Sequence, residues 1–266
     1  MPRVTAIVDG HVHIHACYDI DELFDYAWQN LNRAVPAAAG AHEFYLLMTE
    51  TAGDHYFRAL QAGTTRLKRW TVSPTGEEIS LAVTQGERRI NLIAGRQVAC
   101  KEGLEVLFLG TTGQFTDRRP INEVLAEGAA LGLPRVIPWG AGKWFFGRAR
   151  LLSELLRRER DSFFFLGDEG GRPGFWPYPR HFREGSALGV RDLPGTDPLP
   201  FPHDIDKVGK VGFRVAIDYD AAAPGRSLLK ALQARTTSLE RFARLEPLVR
   251  FVRNQVAMQL RKHRPA

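Results

Sequence analysis

The stretch Val-Thr-Ala-Ile-Val-Asp-Gly-His-Val-His-Ile-His, residues 4–15, decides the expected fold. Its first five residues are mostly apolar and β-branched, which predicts a short buried strand. Side chains two positions apart in an extended segment point to the same side, so His11 and His13, joined by His15, are predicted to face one point. Neutral imidazole is the commonest protein ligand for transition metals, and the pattern therefore predicts a metal site where this strand ends.

Strand-like apolar runs alternate with helical stretches along the rest of the chain. Polar motifs follow six of these runs, directly after Val8, Met48, Ala94, Ile137, Leu166 and Leu193. Such an alternation predicts an α/β fold with a parallel sheet and crossover helices. Polar residues at the carboxyl ends of the strands are typical of a TIM-like barrel with its site at that mouth. We expect a single domain over residues 1–266, in which residues 227–266 form a C-terminal extension of two helices.

The composition is that of an ordinary globular protein. Hydrophobic residues make up 44% of the 266 positions, so the chain can bury a sizeable core. The net charge is +6, with arginines concentrated in residues 148–160 and 235–264. A basic surface attracts anions, but basic residues interleaved with aromatic ones, as in single-strand nucleic-acid binders, are missing from the sequence. We therefore expect a small anionic substrate, such as a phosphate ester, and not a nucleic acid.

The two cysteines, Cys17 and Cys100, form no Cys-x-x-Cys pair. A thiolate zinc site is therefore excluded, and two cysteines suggest a reducing compartment. The beginning of the sequence has no apolar stretch typical of a signal peptide, and no segment approaches the roughly 18 apolar residues of a membrane span. We expect a soluble, cytoplasmic protein with no membrane partner; the oligomeric state is left open.

A second candidate for the site is Gly195-Thr196-Asp197, which follows a late strand-like run. A carboxylate there would face the first strand across the barrel mouth. Asp197 is therefore a candidate metal ligand, or a general base that orients an attacking water. Asp168 and Glu169, after the apolar run 163–166, are further candidates for a ligand or base. His55 is a weaker candidate ligand, because it follows the second strand only after a turn.

Five cationic residues are predicted around the same mouth. Arginine forks suit phosphate or carboxylate groups. We assign Lys143 and Arg172 to the catalytic set and Arg96, Arg148 and Arg180 to substrate binding. The glycine-rich loop before Lys143 lacks the spacing of a Walker phosphate-binding loop.

Three of these motifs together resemble the PHP family, the polymerase and histidinol phosphatase domains. Residues 9–13, Asp-Gly-His-Val-His, are similar to the first motif of that family, and residues 92–110 are similar to one of its strand pairs. Gly195-Thr196-Asp197 is similar to its late Gly-Ser-Asp motif. The resemblance implies a distorted barrel of seven βα units that binds metals and hydrolyses phosphoesters. It also implies that His11, His13 and Asp197 are metal ligands.

The chain departs from the family pattern at four places. Where the family has Thr-Asp-His, this chain has Thr49-Glu50-Thr51, and where the family has a bridging glutamate, this chain has Gln97. The His-Pro of the family is replaced by Trp139-Gly140, and its Asp-x-His by Asp197-Pro198-Leu199. A neutral amide cannot bridge two cations as a carboxylate does, so a cluster of three metals is not expected. We expect one divalent ion, zinc, manganese or iron, on His11, His13 and Asp197, with His15 or His55 as an additional ligand.

These observations favour a metal-dependent hydrolase of the phosphoesterase type with a reduced metal site. The same residue set also resembles the wider amidohydrolase superfamily, which implies action on a substrate that carries a carboxylate. A third hypothesis is a barrel that has lost catalysis and serves as a binding module. Metal content and a panel of substrates would separate the three.

Overall fold

The computed structural model describes residues 1–140, 142–170, 178–244 and 247–262. The strands in these ranges are β1 (Arg3–Val12), β2 (His42–Met48), β3 (Thr71–Pro74), β4 (Ser80–Gln85), β5 (Arg88–Ile93), β6 (Gly95–Ala99), β7 (Glu105–Leu109), β8 (Arg135–Pro138), β9 (Phe164–Glu169), β10 (Arg191–Gly195), β11 (Val211–Asp218) and β12 (Glu240–Ala243). The helices are α1 (Ile20–Arg33), α2 (Tyr56–Gln61), α3 (Ile121–Ala130), α4 (Gly147–Glu159), α5 (Arg180–Ala187), α6 (Pro224–Gln233) and α7 (Leu248–Lys262). A short 3-10 helix covers Pro202–Lys207.

The strands form two mixed sheets. One has seven strands in the order β12-β11-β1-β2-β5-β4-β3, and the other has five in the order β10-β9-β8-β7-β6. The α/β class is confirmed, and the expected parallel sheet is present only in part, since both sheets are mixed: β1 pairs parallel with β2, but antiparallel with β11. The antiparallel pairs β4–β5 and β6–β7 follow from connections of a few residues, which are too short for the crossover that parallel neighbours need.

The two sheets meet along two seams. An isolated parallel bridge between Glu50 and Arg96 links the end of β2 to β6. On the other side the backbone of β1 lies against β10 so closely that a Cβ atom on Gly195 would stand 2.3 Å from the backbone nitrogen of His11. Glycine is required at this position because no side chain fits. In the described residues, the strand pairings form two sheets and not one closed ring. The TIM-like (β/α)7 barrel therefore remains a prediction.

The core has three parts, which follow the alternation of side chains along the strands. On β1, Ile7 packs on the outer face with Leu23 and Phe24 of α1. Val8, next in sequence, packs between the two sheets, where the cluster includes Phe165 of β9. A third cluster places α3, α4 and α5 against the outer face of the five-stranded sheet. Helices thus cover the outside of both sheets, and the strand ends remain open for a site.

The C-terminal region differs in part from the expected pair of helices. Helix α6 begins at Pro224, and the strand β12 separates it from α7. Strand β12 pairs antiparallel with β11 at the edge of the larger sheet. Its four residues include two charged ones, so no strand pattern marks it in the sequence. In the described part of the chain, every helix is too short or too polar to cross a bilayer.

Candidate metal centre

The carboxyl end of β1 brings two histidines together. His11 lies in the strand and His13 directly follows it; both are buried. Their Nε2 atoms are 2.9 Å apart. The alternation predicted from the His-Val-His sequence therefore holds in the structure, and the two rings direct a nitrogen toward the same space.

Asp197 joins the two histidines from β10. Its Oδ1 lies 3.5 Å from Nε2 of His11 and 3.5 Å from Nε2 of His13. The ligand atoms of all three residues lie within 4.8 Å of one another. The backbone N–H of Asp197 donates to the carbonyl of His11 at 2.8 Å, and its φ of +47° is uncommon for a residue with a side chain. This contact fixes the carboxylate beside the imidazoles.

Asp9 ties the two ligand-bearing segments together. Its buried carboxylate accepts bonds from the backbone N–H groups of Thr196 and Gly209, both at 2.8 Å, and from that of His11 at 3.2 Å. The Thr196 hydroxyl also donates to it. Burial raises the pKa of Asp9 to about 6, although these bonds act in the opposite direction. Asp9 therefore positions the loop that carries Asp197 against the end of β1.

The electrostatics of the three residues suit a cation. Burial, and after it the neighbouring His11, lowers the pKa of His13 to about 3, so this imidazole is neutral at pH 7. Burial alone would raise the pKa of Asp197, but His11, His13 and Lys143 together with a bond to Glu169 hold it below its usual range. The site thus offers a neutral nitrogen donor beside an ionised carboxylate.

Of the two acidic candidates after β9's apolar run, Glu169 reaches the site and Asp168 does not. Glu169 Oε1 lies 3.4 Å from Nδ1 of His11. Burial raises the pKa of Glu169 well above its usual value, and Asp197 adds to the effect. Asp168 points to the opposite face of the strand and pairs with Arg241 of β12.

Lys143 supplies the positive charge nearest to this centre for which the structure gives interactions. Its Nζ donates to Glu105 Oε2 at 2.5 Å. Burial alone would lower the pKa of Lys143, but Glu105, Glu169 and Asp197 outweigh it and raise the pKa. The ammonium group is therefore cationic at neutral pH. Glu105 is absent from our sequence-based candidates, because nothing in its local pattern distinguishes it from a surface glutamate.

The other predicted cations occupy different environments. Arg96 is buried and bonds Glu50 Oε2 at 3.2 Å and the carbonyl of Asp54 at 2.9 Å, so its guanidinium is engaged in the seam between the sheets. Arg148 donates to the carbonyl of Gly142 at 2.8 Å. Arg180 is exposed at the start of α5. Arg172 lies outside the described residues. Their predicted substrate contacts remain predictions.

The two additional histidines are not members of the three-residue group. Nε2 of His15 lies 2.8 Å from the carbonyl of Pro198, and its ring stacks on that of His13. His15 therefore lies beside the centre with one nitrogen occupied. His55 is exposed at the start of α2 and makes no capping bond there.

The donor set fits a divalent transition metal. A tetrahedral ion with ligands at 2.0–2.1 Å needs donor atoms about 3.3 Å apart, and the separations here are 2.9, 3.5 and 3.5 Å. Two imidazoles and one carboxylate leave a coordination position open, as in catalytic sites. Among the residues that the structure describes, Nδ1 of His11, Nδ1 of His13 and Oε1 of Glu169 are buried without a hydrogen-bond partner. These features support a bound cation better than a purely structural cluster.

Comparison with known proteins identifies the fold. No protein-family model matches the sequence, and no curated protein matches it. Among solved structures, PsfC from Pseudomonas syringae PB-5123 is similar with a TM-score of 0.57 and 12% identity, over 98% of this chain and 99% of that chain. At this identity the similarity concerns the fold alone.

A second similar structure is the lesion-specific endonuclease PfuEndoQ from Pyrococcus furiosus, with a TM-score of 0.51 and 12% identity. The match covers 90% of this chain but 58% of the endonuclease, so the chain spans less than two thirds of that protein. Because this neighbour is an endonuclease, the comparison does not support our expectation that a nucleic acid is not a partner. The PHP family expected from the motifs remains a prediction.

Proposed function

We propose that the chain is a metal-dependent hydrolase of the phosphoesterase type with one divalent ion. The observation that carries the proposal is the convergence of His11, His13 and Asp197 from strands far apart in sequence. A buried group of two imidazoles and a carboxylate is costly to assemble without a cation. The resemblance to the PHP family and the similarity to an endonuclease fold support the same class of reaction.

The residues of the chain have separable roles in this proposal. His11, His13 and Asp197 hold the ion, which when bound lowers the pKa of a water and supplies a nucleophile at neutral pH. The Asp197 side chain is 22% exposed and faces the opening, where it orients the water. Glu169 Oε1 lies 3.4 Å from the outer nitrogen of His11, and we assign to it the role of orienting that ring, as carboxylates beside metal-bound histidines do.

Lys143 is the proposed partner of the phosphate. It is cationic, and its charge acts on Glu169 and Asp197 at the centre. Positive charge at this place stabilises the negative charge that develops on a phosphoryl group. Arg96 is not part of this proposed role, because Glu50 and Asp54 already engage its guanidinium.

Metal content is the decisive test. We expect about one zinc, manganese or iron ion per chain by elemental analysis after supplementation, and its loss in the His11→Ala/His13→Ala double variant. The matched control is His42→Ala, because His42 is exposed and distant in sequence from the group. A native chain that binds no metal after supplementation would contradict the enzyme proposal and favour a binding module.

A substrate panel then tests the reaction. Phosphomonoesters, phosphodiesters and single- and double-stranded DNA are compared with amides and lactones, each with manganese or zinc. We expect hydrolysis of a phosphoester that falls at least 100-fold in the double variant, since the nucleophile depends on the ion. Hydrolysis of amides alone would favour the amidohydrolase-like alternative, and activity that both histidine substitutions leave unchanged would refute the site.

A further inference from the structure

An aromatic cavity of about 680 Å³ opens at the carboxyl end of β8. Half of its ten lining residues are aromatic, namely Trp139, Trp144, Phe145, Phe146 and Tyr178. Trp139 directly follows β8, and Glu169 ends the adjacent parallel strand β9. The cavity and the metal centre therefore lie at the same edge of the five-stranded sheet.

The loop that contains Lys143 and Trp144 contributes to both the metal centre and the cavity. Lys143 directs its ammonium group to Glu105 and acts on the charges of the centre. The next residue, Trp144, lines the cavity, and its indole N–H donates to the carbonyl of Pro138 at 3.2 Å. Adjacent Cα atoms are about 3.8 Å apart. The backbone of Lys143 therefore lies beside the aromatic lining.

Two large aromatic side chains of this loop are exposed to solvent and not packed into the core. Phe146 is 93% exposed and Phe145 45% exposed. Phe146 also adopts a φ of +57°, a left-handed conformation that is unfavourable for a bulky side chain. Strained backbone and exposed apolar rings at the rim of a cavity are typical of a ligand-binding surface.

Two arginines of α5 complete the lining. Arg180 and Arg183 are both exposed and border the cavity. Neither guanidinium has a hydrogen bond or ion pair in the part of the chain that the structure describes, in contrast to Arg96. Unpaired cations beside aromatic rings suit a ligand that combines a flat ring with an anionic group.

We propose that this cavity binds the aromatic ring of an aryl or arylalkyl phosphate substrate, with the phosphate directed toward Lys143. This inference rests on the proposed phosphoesterase function and adds the substrate class. Ring recognition comes from stacking on Phe146 and the neighbouring aromatic lining, and Arg180 adds attraction for the anion.

The test compares two phosphonates of equal charge and similar size by isothermal titration calorimetry on the full chain with manganese. Benzylphosphonate carries a flat ring, and cyclohexylmethylphosphonate carries a puckered one; neither has a bond that a phosphoesterase hydrolyses. We expect benzylphosphonate to bind about tenfold more tightly, and Phe146→Ala to abolish most of this preference. Leu131→Ala, an equally conservative truncation at an exposed site on α3's end, leaves it unchanged.

The outcomes separate this inference from the proposed function. Equal affinities for the two phosphonates, no detectable binding of either, or a preference that survives Phe146→Ala would each overturn the aromatic site. A preference for benzylphosphonate that persists in the His11→Ala/His13→Ala variant supports the cavity by itself. The same preference in a native chain that hydrolyses no phosphoester would retain the cavity and refute the phosphoesterase.

Discussion

For the adjacent acids Asp168 and Glu169, a shift of one position along a strand decides which side chain faces the site. Both follow the same apolar run, and the sequence makes either a candidate ligand. Neighbouring side chains of a strand point to opposite faces, so one of the two has to face away. The register of β9 turns Glu169 to His11 and Asp168 to Arg241. Which of them reaches the site depends on pairing between strands, and the sequence alone does not define that.

The first prediction concerns Glu169. Glu169→Gln removes the negative charge beside His11 Nδ1 and is expected to lower metal affinity about 10- to 100-fold, because it loosens the orientation of a ligand without removing one. Competition with a chromophoric chelator measures the affinity, and Glu87→Gln at an exposed turn is the control. An unchanged affinity, or a loss as complete as in His11→Ala, would show that Glu169 does not act through His11.

At the scale of elements, the sequence predicts those with a strong pattern and a clear cap. Helix α1 begins after Asp19, whose side chain accepts from the Glu22 N–H at 3.1 Å; the sequence offers both Asp19 and Asp21 as candidates for this cap. Helix α5 is missed because it is short and follows a stretch rich in proline and aromatic residues. Strand β6 is missed as a separate element, since β5 ends at Ile93 and β6 begins at Gly95 without a turn motif between them.

A second prediction tests how α1 holds the segment before β3. The carboxylate of Asp21 accepts from the backbone N–H groups of Lys68, Arg69 and Trp70 at 2.7, 2.9 and 3.0 Å. We expect Asp21→Asn to lower the free energy of unfolding by about 2 kcal/mol at pH 7, because an amide offers one acceptor oxygen and a misplaced donor. Urea denaturation measures the change, and Glu22→Gln on the same turn is the control.

The effect of Asp21→Asn depends on pH in a defined direction. Burial alone would raise the pKa of Asp21, but the three backbone bonds outweigh it and hold the pKa below its usual value. The stability contributed by this carboxylate is therefore full above the unfolded-state pKa, about 3.9, and is lost as the pH falls through the folded-state value. The difference between native protein and variant should narrow below about pH 4. A constant difference from pH 7 to pH 3 would refute the charge-assisted role.

At the scale of the whole molecule, the site depends on how two sheets meet. The seam at β1 and β10 is close enough to bring His11 and Asp197 together because Gly195 has no side chain. Helix α7 is attached to two acids of the 3-10 helix, the buried Asp204 and the half-buried Asp206: Asn254 donates to Asp204 at 3.0 Å, and Arg250 bonds Asp206 at 2.5 Å. The sequence motifs identify the candidate ligands, but the seam and the attachment of α7 come from long-range packing, which no local pattern encodes.

The third prediction addresses the seam. In Gly195→Ala the new Cβ would stand 2.3 Å from the backbone nitrogen of His11, so the strands have to separate. We expect a loss of about 3 kcal/mol in unfolding free energy and of most metal binding. Gly53→Ala, where no atom lies within 4 Å, is the control and should change stability by about 0.5 kcal/mol at most. Full metal binding in Gly195→Ala would contradict the close approach.

The fourth prediction concerns the attachment of α7. Arg250→Met leaves Asp204 and Asp206 with less positive charge and is expected to cost about 2 kcal/mol of stability. Arg253→Met, an exposed position one turn further along the same helix, should have little effect. Thermal unfolding of both variants measures the difference. Equal melting temperatures for Arg250→Met and Arg253→Met would show that the Arg250 guanidinium does not stabilise the acids of the 3-10 helix.

The bond between Asp9 and Thr196 joins positions 187 residues apart. At a synthesis rate of 5–20 residues per second, about 10 to 40 s separate the emergence of the two from the ribosome. Throughout that interval, His11 and His13 of the nascent chain lack both Asp197 and the strand β10 that packs against β1. If His11, His13 and Asp197 hold the proposed ion, loading is an event of the nearly finished polypeptide, and a truncated product that stops before the late strand would carry the imidazoles without their carboxylate partner.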